Sequence, residues 1–192
     1  MRRTWAEVSL EKLAHNYHAL RNLAPQGTKF LGLVKADAYG HGAVPVAKKL
    51  EELGADYLGV ACLDEAIELR QAGIKTPILI LGWTPAIYTE DLVKYNITQA
   101  CYDLDYAKAL SEGAQKAGGT LTVHIQCDTG MTRLGFLCNE TNMAQAAQEI
   151  IQAVRLPGLK AEGIFTHFSD SDGSEEYTMM QFDRFLDIIK RV

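Results

Sequence analysis

No two of the four cysteines (Cys62, Cys101, Cys127 and Cys138) stand at C-x-x-C or any other zinc-site spacing. That argues against a metal finger or a redox pair, and for free, mostly buried thiols in a reducing compartment. No activating partner stands beside any of them, so a catalytic cysteine is not expected. No apolar stretch reaches the roughly 20 residues that a membrane-spanning helix needs. Lys/Arg-rich segments are also missing and the net charge is -5, which speaks against nucleic acid or an anionic membrane as partner. The opening Met1-Arg2-Arg3-Thr4-Trp5-Ala6-Glu7 has two arginines but then an acidic residue where a secretory signal would have its apolar core. These absences predict a cytoplasmic protein. What is present is 192 residues, 47% hydrophobic and 22% charged, which is enough for a sizeable core in an ordinary globular protein.

Short apolar runs alternate with amphipathic stretches along the chain. A strand-like piece at Thr4 to Val8 precedes a predicted helix from Ser9 to about Ala24, with Ser9 as N-cap and Leu10, Leu13, Tyr17, Leu20 and Ala24 on one face. Six apolar runs read as strands: 29–34, 57–61, 78–81, 98–101, 121–127 and 161–165. The segments 42–53, 64–72, 85–95, 104–117, 142–154 and 174 to the end read as helices. Strands alternating with helices of this length predict right-handed βαβ units and a parallel sheet covered on both faces. Periodicity leaves two architectures open, a doubly wound sheet and a (β/α)8 barrel.

The residue least explained by packing is Lys35. It ends the apolar run Phe30-Leu31-Gly32-Leu33-Val34 and opens Lys35-Ala36-Asp37-Ala38-Tyr39-Gly40-His41-Gly42. An ammonium held against apolar walls loses hydration, which favours the neutral, nucleophilic amine that a Schiff-base lysine requires. The plainer alternative is a strand-end lysine reaching into solvent. Gly40 and Gly42 let the backbone turn tightly at the strand end. His41 reads at least as well as a turn histidine with local hydrogen bonds as it does as a ligand contact.

The stretch from Val34 to Gly42 resembles the cofactor-lysine signature of the bacterial alanine racemases, enzymes that use pyridoxal 5′-phosphate (PLP). Three further segments resemble the same family in order: Thr4-Trp5-Ala6-Glu7-Val8, Asp128-Thr129-Gly130-Met131-Thr132-Arg133-Leu134-Gly135-Phe136 and Glu162-Gly163-Ile164-Phe165-Thr166-His167-Phe168. The resemblance implies a TIM-like (β/α)8 PLP-binding barrel, of which about six βα units are present and from which a C-terminal β-domain is absent. It divides the chain into an N-terminal strand, 1–8, and an incomplete barrel, 9–192.

By the same resemblance, Lys35 is both the cofactor attachment and the base acting on D-alanine. Tyr39 contacts the cofactor phosphate, Arg133 meets the cofactor's phenolic oxygen and the substrate carboxylate, and His167 stacks on the pyridine ring. A planar, permanently charged fork suits the role given to Arg133. Many family members carry a carbamylated lysine on the fifth strand to orient this arginine. The matching position here is Gln126, so the arginine is expected to be oriented by a neutral amide acceptor. No metal is implied, and the acidic segment 169–173 lacks the spacing of a calcium loop.

The implied function is interconversion of L- and D-alanine, supplying D-alanine for peptidoglycan, by a homodimer in the full-length protein. The opposite-face tyrosine of the family has no counterpart in this chain, so the chain by itself is expected to be inactive. Serine stays open as a substrate. Two other classes stay open as well. One is a non-catalytic PLP-binding barrel; the other is a barrel enzyme whose Lys35 attacks a carbonyl substrate directly.

Overall fold

The computed structural model describes residues 4–192. They fall into two compact units, the first ending at Trp83 and the second running from Thr84 to Val192. In the first unit, helix α1 (Leu10–Leu23) is started by Ser9, whose hydroxyl accepts from the Lys12 N–H. Three strands follow, β1 (Leu31–Leu33), β2 (Tyr57–Val60) and β3 (Ile78–Ile80), with helices α2 (Ala43–Glu52) and α3 (Leu63–Gln71) in the two crossovers. β1 pairs in parallel with β2 and β2 with β3, in register Leu31↔Tyr57 and Leu58↔Ile78.

The β1–α2 packing makes use of a missing side chain. A Cβ on Gly32 would lie 2.6 Å from Leu50 Cδ1, so glycine leaves the space that the Leu50 side chain fills where α2 packs on the strand. Leu50, Leu58, Val60, Leu69, Ile78 and Ile80 are all buried in this unit. Fully burying one such side chain is worth about 1.5–3 kcal/mol.

The second unit begins with a 3₁₀ turn (Ala86–Tyr88) running into α4 (Thr89–Lys94). Then come β4 (Thr98–Cys101), α5 (Leu104–Lys116), β5 (Leu121–Asp128), a two-residue β6 (Phe136–Leu137), α6 (Met143–Ala153), β7 (Leu159–Thr166) and α7 (Glu175–Arg191). β5 is the hub. It pairs in parallel with β4, with β7 over almost its whole length and, at its last two residues, with β6. Asp103 and Ser174 cap α5 and α7 by accepting from Tyr106 N–H and Tyr177 N–H.

The α/β class, the parallel pairing and the six expected strands are borne out. Three expectations need correction. Thr4 to Val8 form no strand, because an extended segment becomes a strand only with a hydrogen-bonded neighbour, and these exposed residues have none among the described residues. Residues 1–3 of that expected strand lie outside the described residues. The apolar face assigned to α1 is only partly used: Tyr17 is buried against Phe30, ring centroids 4.8 Å apart, whereas Leu20 is exposed. The helix expected over 85–95 is split between a 3₁₀ turn and a short α-helix.

Candidate active site

Directly after β1, the chain does something its composition does not suggest. Ala36, Asp37, Ala38 and Tyr39 all have φ between +51° and +54° and ψ between +40° and +50°, a left-handed helical turn inside Lys35–Gly40. Each such L-residue costs about 1–2 kcal/mol relative to the right-handed conformation, and runs of them are scarcely ever seen. A backbone strained this far persists only where its surroundings fix it.

The surroundings here are explicit. Ala38 N–H donates to Val34 O at 3.0 Å and Gly42 N–H to Asp37 O at 2.9 Å. Asp37 Oδ1 accepts from Ala43 N–H at 2.6 Å, capping α2. Glu65 Oε1 accepts from Ala36 N–H at 2.7 Å. His41 donates from Nδ1 to Ala38 O at 2.9 Å, the local hydrogen bond expected of a turn histidine. Gly40 and Gly42, with φ of +83° and +92°, complete the reversal.

The turn presents two side chains. Lys35 is half-buried, and its Nζ lies 5.9 Å from the centroid of the Tyr39 ring. It has no hydrogen bond or ion pair among the described residues. Tyr39 is 61% exposed, with its hydroxyl equally unengaged.

In the second unit, the loop after β5 carries Arg133. It is folded tightly against the strand end: Asp128 Oδ1 accepts from both Gly130 N–H and Thr132 N–H at 3.0 Å, and Thr132 takes φ +57°. A Cβ on Gly135 would lie 2.4 Å from Asp128 N. Arg133 itself is exposed, with no bonded partner among the described residues. Gln126 is buried and its Oε1 accepts nothing. The Gln126–Arg133 bond expected from the sequence is therefore not made, since Arg133 sits on an exposed loop while Gln126 lies within β5.

His167 follows β7 and is exposed, its main-chain oxygen accepting from Gln181 Nε2 at 3.1 Å. Gln181 went unrecognised in the sequence, where a helical glutamine reads as solvated. It is fully buried and also joins Thr129 Oγ1 and the Ser169 N–H and hydroxyl. Tyr177 and Arg184 donate to Gly130 O and Thr129 O at 2.8 and 2.9 Å. α7 thus buttons together the ends of β5 and β7.

Of the cysteines, Cys101, Cys127 and Cys138 are buried and Cys62 is exposed. Burial, with Asp103 nearby, pushes the Cys101 thiol up to about 12. The hydrogen bond with Cys138, together with burial, raises Cys127 as well. Neither is a thiolate nucleophile at neutral pH.

Lys35 and Tyr39 thus share one turn in the first unit, while in the second Arg133 and His167 follow the ends of β5 and β7 and Gln126 lies within β5. No helix among the described residues is long and apolar enough to cross a membrane.

Comparison with known proteins gives a consistent picture. The chain is 42% identical over 193 residues to alanine racemase 2 of Caldanaerobacter subterraneus, spanning 100% of this chain and 49% of that protein. It is 45% identical over 186 residues to alanine racemase 1 of Clostridium acetobutylicum, covering 96% of this chain and 47% of the relative. Among solved structures, the alanine racemase of Clostridium difficile 630 superposes with a TM-score of 0.93 at 44% identity, over 100% of this chain and 50% of that one. The Bacillus anthracis alanine racemase follows at 0.90 and 31%, with 100% and 48% covered. The chain spans about half the length of the relatives it matches. The family model described as "Alanine racemase, N-terminal domain" matches residues 8–192, and the chain belongs to that family.

Proposed function

We propose that this chain is the cofactor-holding part of a PLP-dependent racemase that interconverts L- and D-alanine, active as a cytoplasmic homodimer and supplying D-alanine for peptidoglycan. The observation that carries this reading is the turn after β1. It presents side by side, on a backbone fixed in a costly conformation, the Lys35 amine and the Tyr39 phenol, neither hydrogen-bonded among the described residues. The donor set suits PLP: an amine for its aldehyde, a phenol hydroxyl for its phosphate and, in residues 9–192 as a whole, an unpaired guanidinium at Arg133.

When bound, PLP supplies an electron sink that makes the Cα proton of an amino acid removable. In this reading Lys35 attaches the cofactor and carries the Cα proton of D-alanine on its Nζ. Tyr39 holds the phosphate through its hydroxyl. Arg133 addresses the phenolic oxygen and the substrate carboxylate, and His167 packs against the ring. Relatives named alanine racemase at 42–45% identity support the reaction class.

The test is to add PLP, reduce with borohydride and map the pyridoxyl-labelled peptide by mass. Label confined to Lys35 is the expected result. Label scattered over many lysines, or absent, would overturn the assignment.

A further inference from the structure

Glu65 lies in the first turn of α3, where a carboxylate has an ordinary use as a cap for the helix start. One of its oxygens serves that end: Oε2 accepts from Ala61 N–H at 2.7 Å, just before the helix. The other oxygen leaves the helix altogether. Oε1 accepts at 2.7 Å from the N–H of Ala36, the residue after Lys35 and the first in the left-handed turn. The carboxylate therefore ties the end of β1 to the end of β2 through two charge-assisted hydrogen bonds, the stronger kind. Val34 N–H, donating to Gly59 O at 2.9 Å, is the last strand bond before the turn. Beyond it, Glu65 is what holds the Ala36 amide in the orientation that φ +51° demands.

We propose that Glu65 is a positioning residue for Lys35, a strut whose charge sustains the left-handed turn and so fixes where the lysine amine is presented. This rests on Lys35 being the cofactor attachment point. A glutamine at this position keeps one acceptor oxygen and turns an NH2 towards the second N–H, so it serves one amide at most.

The experiment compares the unaltered protein with Glu65→Gln, Glu65→Ala and, as a control on the exposed side of the same helix, Glu68→Ala. Two readouts are taken: amide hydrogen exchange at Ala36 and Ala61 in the cofactor-free protein, and the rate of borohydride-trapped PLP labelling at Lys35. Circular dichroism confirms that each variant is folded. In Glu65→Ala both amides exchange faster and labelling slows by about tenfold, the scale of one lost hydrogen bond to a charged group. Glu65→Gln falls between, and Glu68→Ala matches the unaltered protein. Adding Ala36→Gly to Glu65→Ala restores part of the labelling, because glycine takes a positive φ without the steric cost.

Unchanged exchange and labelling in a folded Glu65→Ala, or no recovery with Ala36→Gly, overturns the strut. Failure of the unaltered protein to label at Lys35 overturns instead the reading on which it rests. The exchange measurement separates the two, since it needs no cofactor.

Discussion

Gln181 Nε2 donates to the main-chain oxygen of His167 at 3.1 Å from a position with no solvent exposure. Its amide is used on both sides, since Oε1 accepts from Ser169 N–H at 2.9 Å and Ser169 Oγ at 3.0 Å, while Nε2 also reaches Thr129 Oγ1 at 3.2 Å. Thr129 Oγ1 in turn lies 2.8 Å from Thr166 Oγ1. A polar network whose centre, Gln181 and Thr129, is buried and bonded is rigid, and removing that centre leaves several groups without partners. Gln181→Leu is expected to lower stability by about 2–4 kcal/mol, read by urea unfolding. A loss below about 0.5 kcal/mol, the level of an ordinary surface change, would show that the network is dispensable.

Gly135 is a second point where the loop bearing Arg133 has no slack. Its φ is +135°, and an added Cβ would meet Asp128 N at 2.4 Å and Cys127 C at 2.7 Å, both backbone atoms that cannot swing away. Gly54 also has a positive φ, +81°, but nothing lies within 4 Å of where its Cβ would be. Gly54→Ala is therefore expected to cost about 1–2 kcal/mol, the left-handed penalty by itself. Gly135→Ala should cost at least about 3 kcal/mol, or abolish soluble folding. Equal melting temperatures for the two variants would contradict the steric account.

These examples mark what the sequence made legible. The strand Thr98–Cys101 and the Ser9 cap depend on neighbours in sequence, so period and residue type reveal them. The left-handed turn does not, because only Asp37 among Ala36, Asp37, Ala38 and Tyr39 tolerates positive φ at all readily, and nothing local favours four such residues in a row. It is imposed by Glu65 from 29 residues away and by the Asp37 cap on α2. Gln181 was hidden for the same reason: its burial depends on Ser169, His167 and Thr129 meeting around it. Thr4 to Val8 erred the other way, extended in pattern but without a partner to make it a strand. The positions of Lys35, Arg133 and His167 at strand ends were readable, whereas the contacts that hold their loops were not.

Acid sensitivity should centre on Glu51. Burial would raise its carboxyl, but donors from Thr76 N–H, Thr76 Oγ1 and Lys75 N–H, with Arg70 nearby, outweigh that and hold it below its ordinary 4.5. The folded state thus binds this proton less readily than the unfolded chain does. The stabilisation is complete above the ordinary value and is lost as pH falls through the lowered one. Glu51→Gln is expected to cost about 1 kcal/mol at neutral pH, a modest figure because the carboxylate is only half-buried. The difference from the unaltered protein should vanish in strong acid. A gap that persists at low pH would mean that shape, and not charge, makes the contact.

Gln126 offers a test of a group with no partner. Its Oε1 is buried and accepts no hydrogen bond, and such an acceptor costs about 1–3 kcal/mol. Leucine has nearly the same size and nothing to satisfy. Gln126→Leu should therefore stabilise the cofactor-free protein by about 1 kcal/mol, raising its melting temperature. Proteins retain such groups where a function uses them, so the variant should also gain less stability from added PLP than the unaltered protein does. Both shifts come from one pair of melting curves, with and without PLP. If Gln126→Leu melts lower without cofactor, the amide is bonded in solution and its oxygen is not waiting for a partner. If it melts higher but gains as much from PLP as before, Gln126 has no part in holding the cofactor, and Arg133 is oriented by some other group.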